Sequence, residues 1–390
     1  MIIKMGGCAV NPKSELSWPD PKENPASPLM LHCPQLDGDP FQFDFSTLPK
    51  VTVEHSTVSD VRYAWGRKVN QHNYLVYHDN RFWAMWSDGP GLPRDADAAA
   101  HRNITPGHDQ PGQLISYSTS PDGVRWSEPR DVAGPPDDGF GWIARGFWLR
   151  QGKLLALAAR YQAPGYTGDG LQLHCFVCEP NGERLWRYGG LVKDNSINNF
   201  PPKQLPDCRW LMSRRDKEGR VSMLVGGAEA YDQWDVVDIH YDTGSVAAEE
   251  PCWWVLPDNH LAALFRDNNR SGFLFRSFSA DNGRTWTQPA PTNFPDARSK
   301  FFGFRLSDGR YVLISNSNPN QRDPLTIAVS DDGLVFHSLG YLVGGRIVDY
   351  PHAIEHDGSI YVTFCSAKQS VEVLKIEIAA LDVLRVGNAR

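Results

Sequence analysis

Seven apolar–turn–apolar units recur along the chain, and their spacing constrains the fold more than any other feature. The clearest is "FRLSDGRYVLISNS" at 304–317, an Asp-Gly turn between two apolar runs, which is the pattern of a β-hairpin. The others are "PQLDGDPFQFDF", "YLVYHDNRFWAMWS", "FWLRQGKLLALAAR", "KQLPDCRWLMSRRD", "WVLPDNHLAALFRD" and "AIEHDGSIYVTFCS". Their turns centre on Gly38, Asn80, Gly152, Cys208, Asn259, Gly309 and Gly358, with steps of 42, 72, 56, 51, 50 and 49 residues. A period of about 50 residues is one four-stranded propeller blade. The expected fold is therefore all-β: a seven-bladed β-propeller of four-stranded antiparallel blades, forming a single domain over residues 1–390. An inserted loop at about 87–113, polar and rich in Gly and Pro, accounts for the long step of 72.

A second phrase repeats with the first. "SADNGRTW" (Ser279–Trp286) has the form S-x-D-x-G-x-x-W, and "SPDGVRW" (Ser120–Trp126) and "SDDGLVF" (Ser330–Phe336) are rougher copies. Asp281 lies 22 residues after Asn259 and Asp332 lies 23 after Gly309, but Asp122 lies 42 after Asn80, the same excess as in the long step. The phrase reads as the turn between a blade's third and fourth strands. Asp accepts hydrogen bonds from the turn's N–H groups, Gly supplies a positive φ, and Trp buries its ring between blades. It is a staple and not a site. These turns resemble the Asp boxes (bacterial neuraminidase repeats) of the sialidase-like propeller superfamily, whose six-bladed form is the alternative architecture. The resemblance bears on fold; function has to be argued from the site.

Composition excludes several classes. With 39 Lys+Arg against 46 Asp+Glu the net charge is −7, unlike a nucleic-acid binder. No apolar run is long enough for a membrane helix, and the start lacks the apolar stretch of a secretory signal. A cytoplasmic location is expected from the sequence as written, or a periplasmic or secreted one if a signal has been removed. The seven cysteines are odd in number and irregular in spacing, which argues against a disulfide framework. Cys175 and Cys178 form a C-x-x-C on an expected strand with no second pair, so no metal or other cofactor is expected.

In a propeller the loops before the first strand and after the second share one face, opposite the Asp boxes. The polar residues at those points are the candidate site. Before first strands stand Gln71 and His72, Arg145, Asn199 and Lys203, Lys300, and Tyr350 and His352. After second strands stand Trp86 and Asp88, Arg160 and Tyr161, Arg214 and Arg215, Arg266 and Asp267, Asn316 and Asn318, and Lys368; Arg276 lies on a third strand. This set is cationic on an acidic chain. Arginine forks suit carboxylate or sulfate, and Trp86, Tyr161 and Tyr350 suit stacking on sugar faces. The expected partner is an acidic oligosaccharide, with no nucleic acid and no membrane. His72, next to the axis, is the leading acid–base candidate. His352 is the comparable residue of the last blade, and His101 and His108 fall in the inserted loop.

Three chemistries compete. The sialidase resemblance implies an arginine triad for a carboxylate, a Tyr nucleophile with a Glu partner, and an Asp acid; Arg145, Arg214 and Arg276 are the candidate arginines and Tyr350 the candidate nucleophile. The Arg-Ile-Pro signature of sialidases is missing, the nearest text being "SDVRYAWGRKVNQHN". The "NQH" element resembles that of seven-bladed propeller α-L-rhamnosidases acting on rhamnose–glucuronate linkages, which implies Gln71 and a catalytic His72 in the site. An exo-acting glycoside hydrolase is the first expectation. A polysaccharide lyase, like the ulvan and rhamnose–glucuronate lyases, is the second, and a glycan-binding propeller without catalysis is the third.

Overall fold

The computed structural model describes residues 20–385 except 37, 63–65, 92–108, 181–184, 242–243 and 245. Within them the chain forms six four-stranded antiparallel sheets. The first strand, β1 (Glu54–Asp60), belongs to the last blade. Blade 1 holds β2 (Val69–His78), β3 (Arg81–Gly89), β4 (Leu114–Ser120) and β5 (Arg130–Ala133). Blade 2 holds β6 (Phe140–Arg150), β7 (Lys153–Gln162), β8 (Gln172–Cys178) and β9 (Trp186–Asp194). Blade 3 holds β10 (Lys203–Gln204), β11 (Trp210–Arg215), β12 (Val221–Gly226) and β13 (Trp234–Asp238). Blade 4 holds β14 (Ala248–Val255), β15 (Leu261–Asp267), β16 (Phe273–Ser279) and β17 (Ala290–Pro295). Blade 5 holds β18 (Phe302–Arg305), β19 (Tyr311–Ser315), β20 (Leu325–Ser330) and β21 (Ser338–Val343). Blade 6 holds β22 (Val348–His356), β23 (Ser359–Ser366) and β24 (Ser370–Glu377), and β1 pairs with β24 to complete it. This pairing joins the first strand to the last and closes the ring.

The expectation of seven blades is therefore corrected to six. Six of the seven turns join the first and second strands of blades, but the unit around Gly38 does not form a hairpin. Its side chains take the backbone donors first: Asp39 accepts from the Phe41 N–H at 3.0 Å, and Asp44 accepts from the Ser46 N–H at 3.0 Å, capping the short 3-10 helix Phe45–Thr47. Such local bonds compete with a ladder, and the prolines at 34 and 40 have no N–H to give. The segment instead lies along blade 5, with parallel bridges Leu31–Phe336 and Lys50–Tyr341 and with Phe45 and Leu48 buried.

The Asp boxes act as staples. In the box at 279–286, Asp281 accepts from the Thr285 N–H at 2.9 Å and Ser279 Oγ from the Gly283 N–H at 2.9 Å. Asp122 accepts from the N–H groups of Val124 and Arg125, and Asp332 from those of Leu334 and Val335. Trp126 packs on the core formed by Tyr361, Val371 and Val373 of blade 6, and Trp286 on the core shared by blades 3 and 4. Phe336 is fully buried against Trp254 and Phe294 of blade 4. Each staple thus closes a turn and seals a seam between neighbouring blades.

Candidate active site

Four inner strands carry a β-bulge at the same level. Register shifts fall between Gln71 and Tyr74 in β2, Ala144 and Gly146 in β6, Glu249 and Cys252 in β14, and Asp349 and His352 in β22. The extra residue of a bulge leaves the ladder and is re-aimed. Here the bulged residues are His72, Arg145, Glu250 and Tyr350. His72, Glu250 and Tyr350 sit at φ of 52°, 51° and 59°, a region L-residues rarely occupy and one that marks functional sites when found in strands. Proline follows both Glu250 and Tyr350; it gives up no ladder bond at a bulge. In β6 the strain passes to Gly146, at φ of 99°, where a Cβ would come within 2.6 Å of Pro201 Cδ.

The bulged side chains meet near the axis. The His72 ring stacks on Tyr350, with centroids 4.8 Å apart and planes 12° apart, and Tyr166 meets His72 edge-on at 5.8 Å. Asn73 locks this pair by donating to the Tyr350 carbonyl at 3.1 Å and to Thr363 Oγ1 at 3.2 Å. Arg322 and Lys368 lie 5.8 and 5.3 Å from the centre of the Tyr350 ring. Gln71 donates to Tyr166 Oη at 3.1 Å, and Tyr161 meets Tyr166 edge-on at 4.8 Å while donating to the Gln110 carbonyl.

Carboxylates thread the arginines. Arg266 pairs with Glu250 at 3.0 Å and Glu249 at 3.2 Å, Arg215 reaches Glu249 at 3.4 Å, and Arg322 holds Asp349 at 2.7 Å. Burial pushes the Glu250 carboxyl up, but Arg266, Lys300, Arg145 and Arg215 together hold it below its ordinary value, so it is ionised. Burial also opposes charge on Arg322, yet Asp349 and Tyr350 raise its pKa above the usual guanidinium value. Asp296 goes the other way: burial pushes it up to about 7 against the pull of Arg266.

Beneath this cluster the channel is filled by side chains. Lys300 donates to Tyr74 Oη at 2.7 Å and to the Asn199 carbonyl at 3.0 Å; Lys203 donates to the carbonyls of Trp253 and Gly303. His352 Nδ1 accepts from the Leu75 N–H at 3.2 Å, and its ring lies 4.4 Å from that of Phe302. Burial, then Lys300 and Lys203, depress the His352 pKa far below that of a free imidazole, so it is neutral.

The structure thus brings Gln71, His72, Tyr350, Arg145, Asn199, Arg266 and Tyr161 to one face. Several other expected contacts lie elsewhere. His352, Lys203 and Lys300 belong to the channel wall, because the bulge makes Tyr350, and not His352, the counterpart of His72. Trp86 is 0% exposed in the seam between blades 1 and 6, so its ring has no free face for a sugar. Arg276 is buried and donates to the carbonyls of Leu334, Ser27 and Leu29, tying the N-terminal segment to blade 4. Arg214, by contrast, lines the same cleft as Arg145, Asn199, Arg215 and Glu250, its guanidinium donating to Ser196 Oγ, Ser222 Oγ and the Asn195 carbonyl. Asn318 closes its own loop by donating to the Asp323 carbonyl and accepting from the Asn320 N–H. Asp88 pairs with Arg67 at 2.7 Å, and Arg160 pairs with Asp137 and covers Phe140 at 3.5 Å. His101 and His108 lie outside the described residues. Sequence reasoning placed Arg215 on this rim but missed Glu249, Glu250, Asp349, Arg322 and Tyr166 as members. The signals were present: Glu250-Pro and Tyr350-Pro both open inner strands, and Arg322 follows the second strand of its blade.

A family model described as a BNR repeat-like domain matches residues 100–362, roughly two thirds of the chain. No curated protein matches the sequence. The fold is similar to that of a protein of unknown function from Dyadobacter fermentans, with a TM-score of 0.66 and 14% identity over 85% of this chain and 100% of that one. It is similar to a sialidase, with a TM-score of 0.60 and 17% identity over 89% of this chain but 35% of that one. An intramolecular trans-sialidase from Ruminococcus gnavus, in complex with oseltamivir carboxylate, gives 0.63 and 13% identity over 84% and 98% of the two chains. At these identities the likeness is one of fold.

Proposed function

The chain belongs to the BNR repeat-like domain family, and from that premise we propose that it is a carbohydrate-active enzyme, an exo-acting glycoside hydrolase on an acidic sugar. The observation that carries this reading is the strained set His72, Glu250 and Tyr350, all bulged out of inner strands, with arginines between them. Tyr350 is the nucleophile at the anomeric carbon. Glu250, the ionised carboxylate of the cluster, assists loss of the phenol's proton. His72 gives a proton to the leaving oxygen and takes one from water in the second step. Basic side chains outnumber carboxylates around Glu250, which favours an anionic ligand.

The test is release of a terminal sugar from aryl glycosides of acidic sugars and from acidic oligosaccharides. Tyr350→Phe should lower turnover at least about 100-fold. No release by the wild-type protein from any acidic glycoside would overturn the reading. The stacked His72–Tyr350 pair also favours a second reading, a lyase in which the two exchange the C5 proton of a uronate. A lyase leaves an unsaturated uronate that absorbs in the ultraviolet; a hydrolase product does not.

A further inference from the structure

The acid–base residue and the nucleophile assigned above are both covered. His72 is 3% exposed and Tyr350 8%, and Gln71 beside them is fully buried. Neither His72 nor Tyr350 lines the cleft of about 300 Å³ at this face, whose walls include Arg145, Asn199, Arg214, Arg215 and Glu250. Two rings buried to this degree leave no room for a sugar beside them, so something must move before one arrives.

Among the described residues one segment stands between the cleft and the pair. Residues 163–171 join β7 to β8 and form no strand. The Tyr166 carbonyl accepts from Nη2 of Arg215, a cleft residue, at 3.2 Å. The Tyr166 ring meets that of His72 edge-on, with centroids 5.8 Å apart, and its Oη accepts from Gln71 at 3.1 Å. Gly165 and Gly168 flank the tyrosine at φ of 96° and 89°, with nothing within 4 Å of where a Cβ would stand. Turns of this kind, packed against nothing, are cheap to rearrange. The tip is tied to blade 3 by the Gly168 N–H on the Lys217 carbonyl at 2.9 Å and by Lys217 Nζ on Asp169 at 2.8 Å. Asp169 is 86% exposed and Lys217 40%, so that ion pair is a weak tether. The inner strands of blades 1 and 6, by contrast, are fixed in four-stranded ladders.

We propose that residues 163–171 are a gate with Tyr166 as its closing side chain, turning at Gly165 and Gly168 to let a sugar pass from the cleft to His72 and Tyr350. The proposal rests on the glycosidase reading for what enters; the cover itself follows from the geometry. Reclosure keeps bulk water from the pair while a sugar is bound, as lids over active sites do.

The test reads accessibility, so it does not depend on turnover. Diethyl pyrocarbonate acylates accessible imidazoles, and mass spectrometry of the digested protein follows each histidine separately. His72 of the wild type should react slowly. Tyr166→Ala should speed its reaction about tenfold or more, as removal of a local cover does. Asp169→Lys sets like charge against Lys217 and leaves Tyr166 and its partners in place; it should speed the reaction at least about threefold. His352, in the channel wall, should stay unmodified throughout, which shows that the ring is intact. Equal His72 rates in Tyr166→Ala and wild type overturn the proposal. A wild-type rate in Asp169→Lys makes the segment a fixed wall and overturns it too. If His352 also reacts in Tyr166→Ala, that variant has lost its fold and Asp169→Lys decides alone. Faster His72 labelling in both variants, with no sugar released by the wild type from any acidic glycoside, would sink the hydrolase reading and leave the gate standing. Sugar release with unchanged labelling would do the reverse.

Discussion

His72, Glu250 and Tyr350 each occupy a left-handed backbone angle, at a cost of about 1–3 kcal/mol per residue. The surrounding contacts must over-determine them, and Asn73 and Arg266 do so from either side. His72→Ala should cut turnover at least about 100-fold, as expected for loss of an acid–base group; steady-state rates within about threefold of wild type would remove His72 from the mechanism. Asp296 makes a prediction of the opposite kind. Its carboxyl is pushed up to about 7 when folded, against about 4 in an unfolded chain. Between those values the unfolded state is ionised and the folded state still holds its proton. Stability is then fully present below about pH 4 and is lost as pH rises toward about 7. Asp296→Asn should therefore gain on wild type in thermal melts as pH goes from 5 to 8 (roughly the span of that loss), and a constant difference across that range would contradict the assignment.

At the scale of the element, the bulge and the Asp box divide the labour. Bulges at one end of the inner strands aim the chemistry, while the boxes at the other end hold the outer turns. Burial raises the Asp281 carboxyl, but the hydroxyl and N–H of Thr285 bring it below its ordinary value. Asp281→Ala should lower the melting temperature by a few degrees, for about 1 kcal/mol of lost hydrogen bonding, with kcat/KM unchanged. A matched fall in kcat/KM would mean the box reaches the site. The boxes were legible in the sequence because Ser, Asp, Gly and Trp complete the motif within eight residues. The bulges were not. A strand's alternation predicts which face a side chain takes only while two strands stay in register, and one extra residue reverses it. That is why Tyr350 replaced His352 as the partner of His72. Glu249 and Glu250 escaped notice because no residue ahead of the fourth blade's inner strand was among the candidates, and Glu249 meets its Arg215 partner only across a blade seam.

For the whole molecule, closure is the decisive step. β1 pairs with β24 from Glu54↔Lys375 to Asp60↔Ser370, so the first described strand completes the last blade. Removing it leaves β24 as an unpaired edge and opens the ring that makes six inner strands converge. A chain that starts at residue 62 should lose its cooperative thermal transition or aggregate, and an undisturbed melt would show that the ring does not need β1.

The sequence by itself determined the blade: the period of about 50 residues, six of the turns and the three Asp boxes all follow from side chains acting on their own neighbours in the chain. Only the tertiary structure decided the blade number and the site. Whether the unit around Gly38 joined the ring depended on Asp39 and Asp44 outcompeting a ladder that had no partner strand to offer. Which arginines meet which carboxylates depends on Coulomb interactions between residues far apart in sequence. Those follow spatial distance, and blade closure sets that distance.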